Sequence, residues 1–186
     1  MTLFRARHLP NAICVLRILL VIPIVTLLLE QRYLAALLLI GLAGLSDGLD
    51  GFLARRFNWS SRIGGLLDPL ADKLLFISVF AALCWVGHVP AWLFLVVVGR
   101  DLTIVCGALA YEYRIGRVEP QPSVVGKLNT VAALLYLLLV ISAQVFSWPP
   151  PEAVLTSGAL VFVVSIVSGL DYVLTWSRHA RVARGA

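Results

Sequence analysis

Six long apolar runs, parted by short polar or proline-bearing breaks, leave this chain few folds to choose from. A backbone surrounded by hydrocarbon has no water to bond to, so each run must satisfy its own N–H and C=O groups, and a helix does that. A hydrocarbon core of about 30 Å takes about 20 helical residues to cross. The runs fall at Asn11 to Leu29, Tyr33 to Arg56, Ile63 to Gly87, Pro90 to Tyr113, Ser123 to Phe146 and Ala153 to Trp176. Their separators are helix breakers: Glu30-Gln31-Arg32, Asn58-Trp59-Ser60-Ser61, His88 before Pro90, Glu119-Pro120-Gln121-Pro122 and Trp148-Pro149-Pro150-Pro151. With 60% apolar and 13% charged residues, the chain is too apolar for an ordinary soluble domain. There is no internal repeat and no low-complexity tract. The expected fold is all-α: a polytopic membrane protein of six transmembrane helices in one bundle, a single domain over residues 1–186.

Cations orient such a bundle. With six spans, both termini and the second and fourth connections share one side, which carries Arg5, Arg7, Arg55, Arg56, Arg62, Arg114, Arg117, Arg178, Arg181 and Arg184. The other side has Arg32 alone, so the positive-inside rule puts both termini in the cytoplasm. The basic start leads straight into an apolar run without a signal-peptidase site or transit-peptide character, which favours a bacterial inner (plasma) membrane. Cys14, Cys84 and Cys106 lie in apolar runs without ligand spacing and are expected as buried thiols. Gly41 and Gly44 are expected to be helix-packing glycines.

Against that apolar background stand four aspartates, Asp47, Asp50, Asp68 and Asp72. Each would cost several kcal/mol to bury ionised and unpaired, so each needs a partner. Residues three or four apart share a helix face, so Asp47 and Asp50 project together from the second helix and Asp68 and Asp72 from the third. The short connection should bring the pairs face to face at the cytoplasmic boundary, within reach of a soluble nucleotide. Oxygen-only ligands suit Mg²⁺, Mn²⁺ or Ca²⁺, and the lack of nearby His or Cys argues against zinc. Gly51 and Gly64 allow a bulky group to approach the backbone, and Arg55 offers a planar fork for phosphate oxygens. The rival reading is a structural staple in which the aspartates pair with Arg55, Arg56, Arg62 and Lys73. In the same spirit Gly51 and Gly64 could be packing residues, and Pro69 begins or kinks the third helix.

The string Asp47-Gly48-Leu49-Asp50-Gly51-Phe52-Leu53-Ala54-Arg55, followed at fixed gaps by Gly64, Asp68 and Asp72, resembles the complete signature of the CDP-alcohol phosphatidyltransferases. The six-helix layout extends the resemblance over nearly the whole chain. It implies transfer of a phosphatidyl group from CDP-diacylglycerol to an alcohol, with release of CMP. It further implies two Mg²⁺ or Mn²⁺ ions held chiefly by Asp47, Asp50 and Asp68, with Asp72 touching the second ion and serving as catalytic base. Gly51, Ala54, Arg55 and Gly64 would hold the cytidine and diphosphate, and a homodimer is expected.

The remaining intramembrane charges bear on the acceptor. Arg17, Arg100, Asp101 and Lys127 lie within or at the edge of spans, where an unneeded charge is expensive. Arg100 and Lys127 are candidates for an acceptor's phosphate; the alternative is that Arg100 and Asp101 each pair with neighbouring helices, and for Arg17 and Asp101 the structural reading stands level with the functional one. Asp171 reads as a partner for Lys127 or an arginine, and His8, His88 and His179 need no catalytic role. Pro10-Asn11 with Arg17, Asp68 to Lys73, and Lys127 to Thr130 resemble the glycerol-headgroup branch of the family. Arg100-Asp101 and Lys127-x-Asn129-Thr130 resemble its cardiolipin synthases, with phosphatidylglycerol as acceptor, more than its phosphatidylglycerophosphate synthases, which use glycerol 3-phosphate. Membrane lipids are the expected surroundings, and no nucleic-acid partner is expected. A non-enzymatic transport or cation-binding bundle is the reading from another class; the paired broken helices of a transporter are not visible.

Overall fold

In a computed structural model the chain forms α1 (Leu9–Leu29), α2 (Tyr33–Phe57), α3 (Gly64–Trp85), α4 (Ala91–Arg114), α5 (Val124–Phe146) and α6 (Pro151–Arg184). The structure describes the backbone of residues 9–57, 64–114 and 123–184, and the side chains of 15–48, 70–107 and 123–175. No strand occurs among the described residues. Each helix lies where its apolar run places it, except that α6 continues past Trp176 to Arg184. Nothing between those residues breaks a helix: hydropathy limits a span, whereas caps and breakers limit a helix. α3 starts before Pro69, which therefore does not begin it.

The ends have local causes. Gln31, Gly87 and Ser147 take left-handed φ values of 60°, 89° and 54° after α1, α3 and α5, a conformation that stops a helix. Ser123 caps α5, its hydroxyl accepting from the Gly126 N–H at 3.1 Å. Pro151 opens α6 with its fixed φ, and Glu152 follows in the first turn, where the helix dipole favours an acid.

Val124–Phe146 and Pro151–Thr175 are each long and apolar enough to cross a membrane; Val15–Leu29 and Tyr33–Gly48 are shorter apolar stretches. The six expected spans thus reduce to two clear ones among the described residues.

Contacts divide the chain into two compact units, Met1–Val89 and Pro90–Ala186. In the first, α1 packs against both α2 and α3, with Ile24, Leu28, Ala36, Phe80 and Leu83 inside. In the second, α6 packs against both α4 and α5 around Leu93, Val97, Val140, Ile141 and Val161. Gly158 lets α6 approach closely: a Cβ there would stand 3.2 Å from the Tyr136 ring.

Two expectations about packing fail. A Cβ added at Gly41 or Gly44 would meet nothing within 4 Å, so neither is a packing glycine among the described residues. Cys106 is exposed and Cys84 only half-buried, whereas both were expected inside; the Cys14 side chain lies outside the described residues. The cause is common to both. Outward leucines such as Leu45 and Leu155 are 70% and 74% exposed. A chain apolar on its outside as well as inside gives no sequence signal for which face is buried.

Candidate functional site

Arg17 of α1 is the largest fully buried side chain among the described residues, 2% exposed. Its Nη2 lies 2.5 Å from Asp47 Oδ1, and its Nη1 lies 2.5 Å from Asp72 Oδ1. One guanidinium from the first helix therefore joins a carboxylate from the second to a carboxylate from the third. The planar fork has two parallel donor edges to offer, which a lysine ammonium lacks. Asp47 and Asp72 are themselves 46% and 53% exposed, so the acids remain open to solvent while the cation between them is sealed. Sealing it costs several kcal/mol of desolvation, which two charge-assisted hydrogen bonds offset.

Asp50 and Asp68 stand in helical backbone, one turn after Asp47 in α2 and one turn before Asp72 in α3. Their side chains lie outside the described residues, as do those of Gly51, Ala54, Arg55 and Gly64. Among the described residues no three His, Cys, Asp or Glu side chains converge. The structure thus brings together Asp47 and Asp72 of the expected set. The donor chemistry suits a hard cation: two half-exposed carboxylates already converge on a positive group.

Sequence reasoning singled out Arg17 as an expensive buried cation but gave it no place at the aspartates. Among the described residues Arg17 joins the two acid-bearing helices; the side chains of Arg55, Arg56 and Arg62 lie outside the described residues. The missed signal was the charge itself, since an arginine in an apolar helix requires acids on whatever packs against it.

The opposite end of this unit is polar in another way. The Tyr33 hydroxyl at the start of α2 lies 2.6 Å from His88 Nε2, just beyond α3, with the rings edge to face at 5.3 Å. Burial lowers the His88 pKa from its ordinary 6.5 and so favours the neutral ring.

In the second unit Arg100 is spoken for. Its Nη1 lies 2.7 Å from Asp101 Oδ1, and its Nε and Nη2 donate to Ser168 Oγ at 3.1 and 2.5 Å. The guanidinium carbon stands 5.7 Å from the Tyr172 ring centroid. Gly126 makes room for this head, because a Cβ there would come 3.0 Å from Nη2. Lys127, the next residue, is exposed. A second buried contact runs from the Ser165 hydroxyl to Asn129 Oδ1 at 2.7 Å. The serines were invisible to sequence reasoning: small hydroxyls in an apolar helix carry no periodic mark.

The family model described as CDP-alcohol phosphatidyltransferase matches residues 7–176. The chain is 36% identical over 137 residues to a CDP-diacylglycerol–glycerol-3-phosphate 3-phosphatidyltransferase of Aquifex aeolicus, covering 72% of this chain and 75% of that protein. It is 39% identical over 115 residues to a cardiolipin synthase (CMP-forming) of Streptomyces coelicolor, covering 61% of this chain and 52% of that one. Against the cardiolipin synthase (CMP-forming) of Rattus norvegicus it is 30% identical over 155 residues, covering 75% and 51%. The matched stretch spans about half of each cardiolipin synthase.

Proposed function

The chain belongs to the CDP-alcohol phosphatidyltransferase family, and from that premise we propose that it transfers a phosphatidyl group from CDP-diacylglycerol to a glycerol-type acceptor, releasing CMP. The observation that carries this reading is the convergence of Asp47 and Asp72, from separate helices of the signature, on one buried guanidinium. Asp47, Asp50, Asp68 and Asp72 are the residues to hold two Mg²⁺ or Mn²⁺ ions. Bound there, the ions would neutralise the diphosphate and stabilise CMP as the leaving group. Asp72 takes the proton of the acceptor hydroxyl as its oxygen attacks the phosphorus bearing diacylglycerol and the bond to CMP breaks. Arg55 contacts the phosphate oxygens, with Gly51, Ala54 and Gly64 leaving space for the nucleotide. The protein works in the bacterial inner membrane as a six-span homodimer with cytoplasmic termini, a topology that reporter fusions at Ala186 test.

The acceptor we assign is phosphatidylglycerol, making the product cardiolipin, with Arg100 and Lys127 holding its phosphate. Glycerol 3-phosphate is the second reading, favoured by the fuller coverage of the Aquifex relative, 75% against 52% and 51%. Purified protein given CDP-diacylglycerol and each acceptor in turn separates them. CMP release with neither, or undiminished release in EDTA, overturns the proposal; product from glycerol 3-phosphate alone selects the second reading.

A further inference from the structure

α2 and α3 carry the aspartates, yet among the described residues each packs against α1 and they do not pack against one another. Arg17 is where α1 touches both acids, and through it α1 ties Asp47 to Asp72. Two carboxylates that converge on one guanidinium repel each other when no cation stands between them. With one, each carboxylate is fixed through its Oδ1 to a rigid planar group that is itself immobilised by burial, 2% exposed. This is the arrangement by which partners behind a ligand orient it.

We propose that Arg17 is a positioning residue: a built-in cation that holds Asp47 and Asp72 in register when no metal is bound, so that the acidic site is assembled before the ions arrive. This rests on the two-metal reading above. In wild-type protein the ions bind a site whose halves are already joined, and their binding energy is not consumed in gathering two helices. In a protein lacking Arg17 the ions must do both.

The test is the thermal midpoint of the purified protein with and without Mn²⁺, for wild type, Arg17→Gln and Arg17→Lys. Arg17→Gln lowers the metal-free midpoint and weakens Mn²⁺ binding, because part of the binding energy now goes into gathering the two helices, so at the same Mn²⁺ concentration its metal-induced rise is about half the wild-type rise or less. Arg17→Lys keeps the charge but loses the fork, and its rise falls between the two; it carries the test if Arg17→Gln does not fold. A helix staple without a role toward the metal would lower both midpoints equally. Equal metal-induced rises in all folded variants therefore overturn the positioning role while leaving the metal reading intact. No Mn²⁺ response in wild type overturns the metal reading and the inference with it. A kcat in Arg17→Lys that falls and is partly recovered at higher Mn²⁺ supports the role further.

Discussion

Two buried arginines, one in each unit, solve the same electrostatic problem with opposite consequences. Arg17 is neutralised by acids on two other helices, and those acids stay 46% and 53% exposed. Arg100 is neutralised by its own chain neighbour Asp101 and donates to Ser168, with both side chains of the ion pair 8% and 11% exposed. The first arrangement leaves reactive oxygens at the surface; the second closes its polar groups in. The open acids leave ligand positions beside Arg17, whereas Arg100 is tied to α6 through Ser168.

The largest effect that divides the two should come from neutralising an acid in each. Asp72→Asn removes the proposed base and is expected to lower turnover by about 10²- to 10⁴-fold, with nucleotide binding largely kept. Asp101→Asn should lower the thermal midpoint and change turnover far less. Single-turnover kinetics beside thermal melts read both quantities. Equal turnover losses would erase the distinction between the units.

Arg100 itself is the next point of pressure. If it also meets the acceptor's phosphate, Arg100→Met should reduce acceptor kcat/KM by about ten- to a hundredfold, corresponding to about 1.5–3 kcal/mol for a lost charge-assisted bond. The KM for CDP-diacylglycerol should move little. A lower midpoint with unchanged acceptor kinetics would make Arg100 purely a fastening and leave Lys127 as the acceptor's cation.

These contrasts also show what the sequence made legible. Helix number and position could be read because apolar runs and breakers are one-dimensional properties. The aspartate signature was readable because fixed gaps on helices fix faces. What the sequence did not carry was the partner of each buried charge, since that depends on which helix packs against which. Arg17 stands far in sequence from Asp47 and Asp72, joined to them only because α1 is the helix on which α2 and α3 both pack. Burial was equally hidden, as Gly44 and Cys106 show, because lipid-like and core-like faces have the same composition.

Glycine replacements sharpen the difference at smaller scale. Ala at Gly126 gains about 1 kcal/mol of helix propensity but presses on Arg100 Nη2, which Ser168 holds, at a cost of about 1–3 kcal/mol. A net loss of about 1 kcal/mol is expected. Gly44→Ala meets nothing within 4 Å and should be neutral or stabilising. Thermal melts of the two variants decide it, and a stabilised Gly126→Ala would mean that the Arg100 head can shift freely.

The smallest effect concerns the far end of the first unit, where the polar contact is neutral instead of ionic. Burial lowers the His88 pKa below its ordinary 6.5, so the folded protein resists a proton that the unfolded chain accepts. Stability from this group is therefore complete above that value, falls as the pH drops through it, and levels off once the folded ring is also protonated. Melts between about pH 8 and about pH 5 should show the decline in wild type. His88→Gln should flatten it. Tyr33→Phe, which removes the hydroxyl facing Nε2, should cost about 0.5–1.5 kcal/mol at neutral pH. An unchanged midpoint in Tyr33→Phe would show that this end of the unit is held by packing alone, in contrast to the Arg17 end.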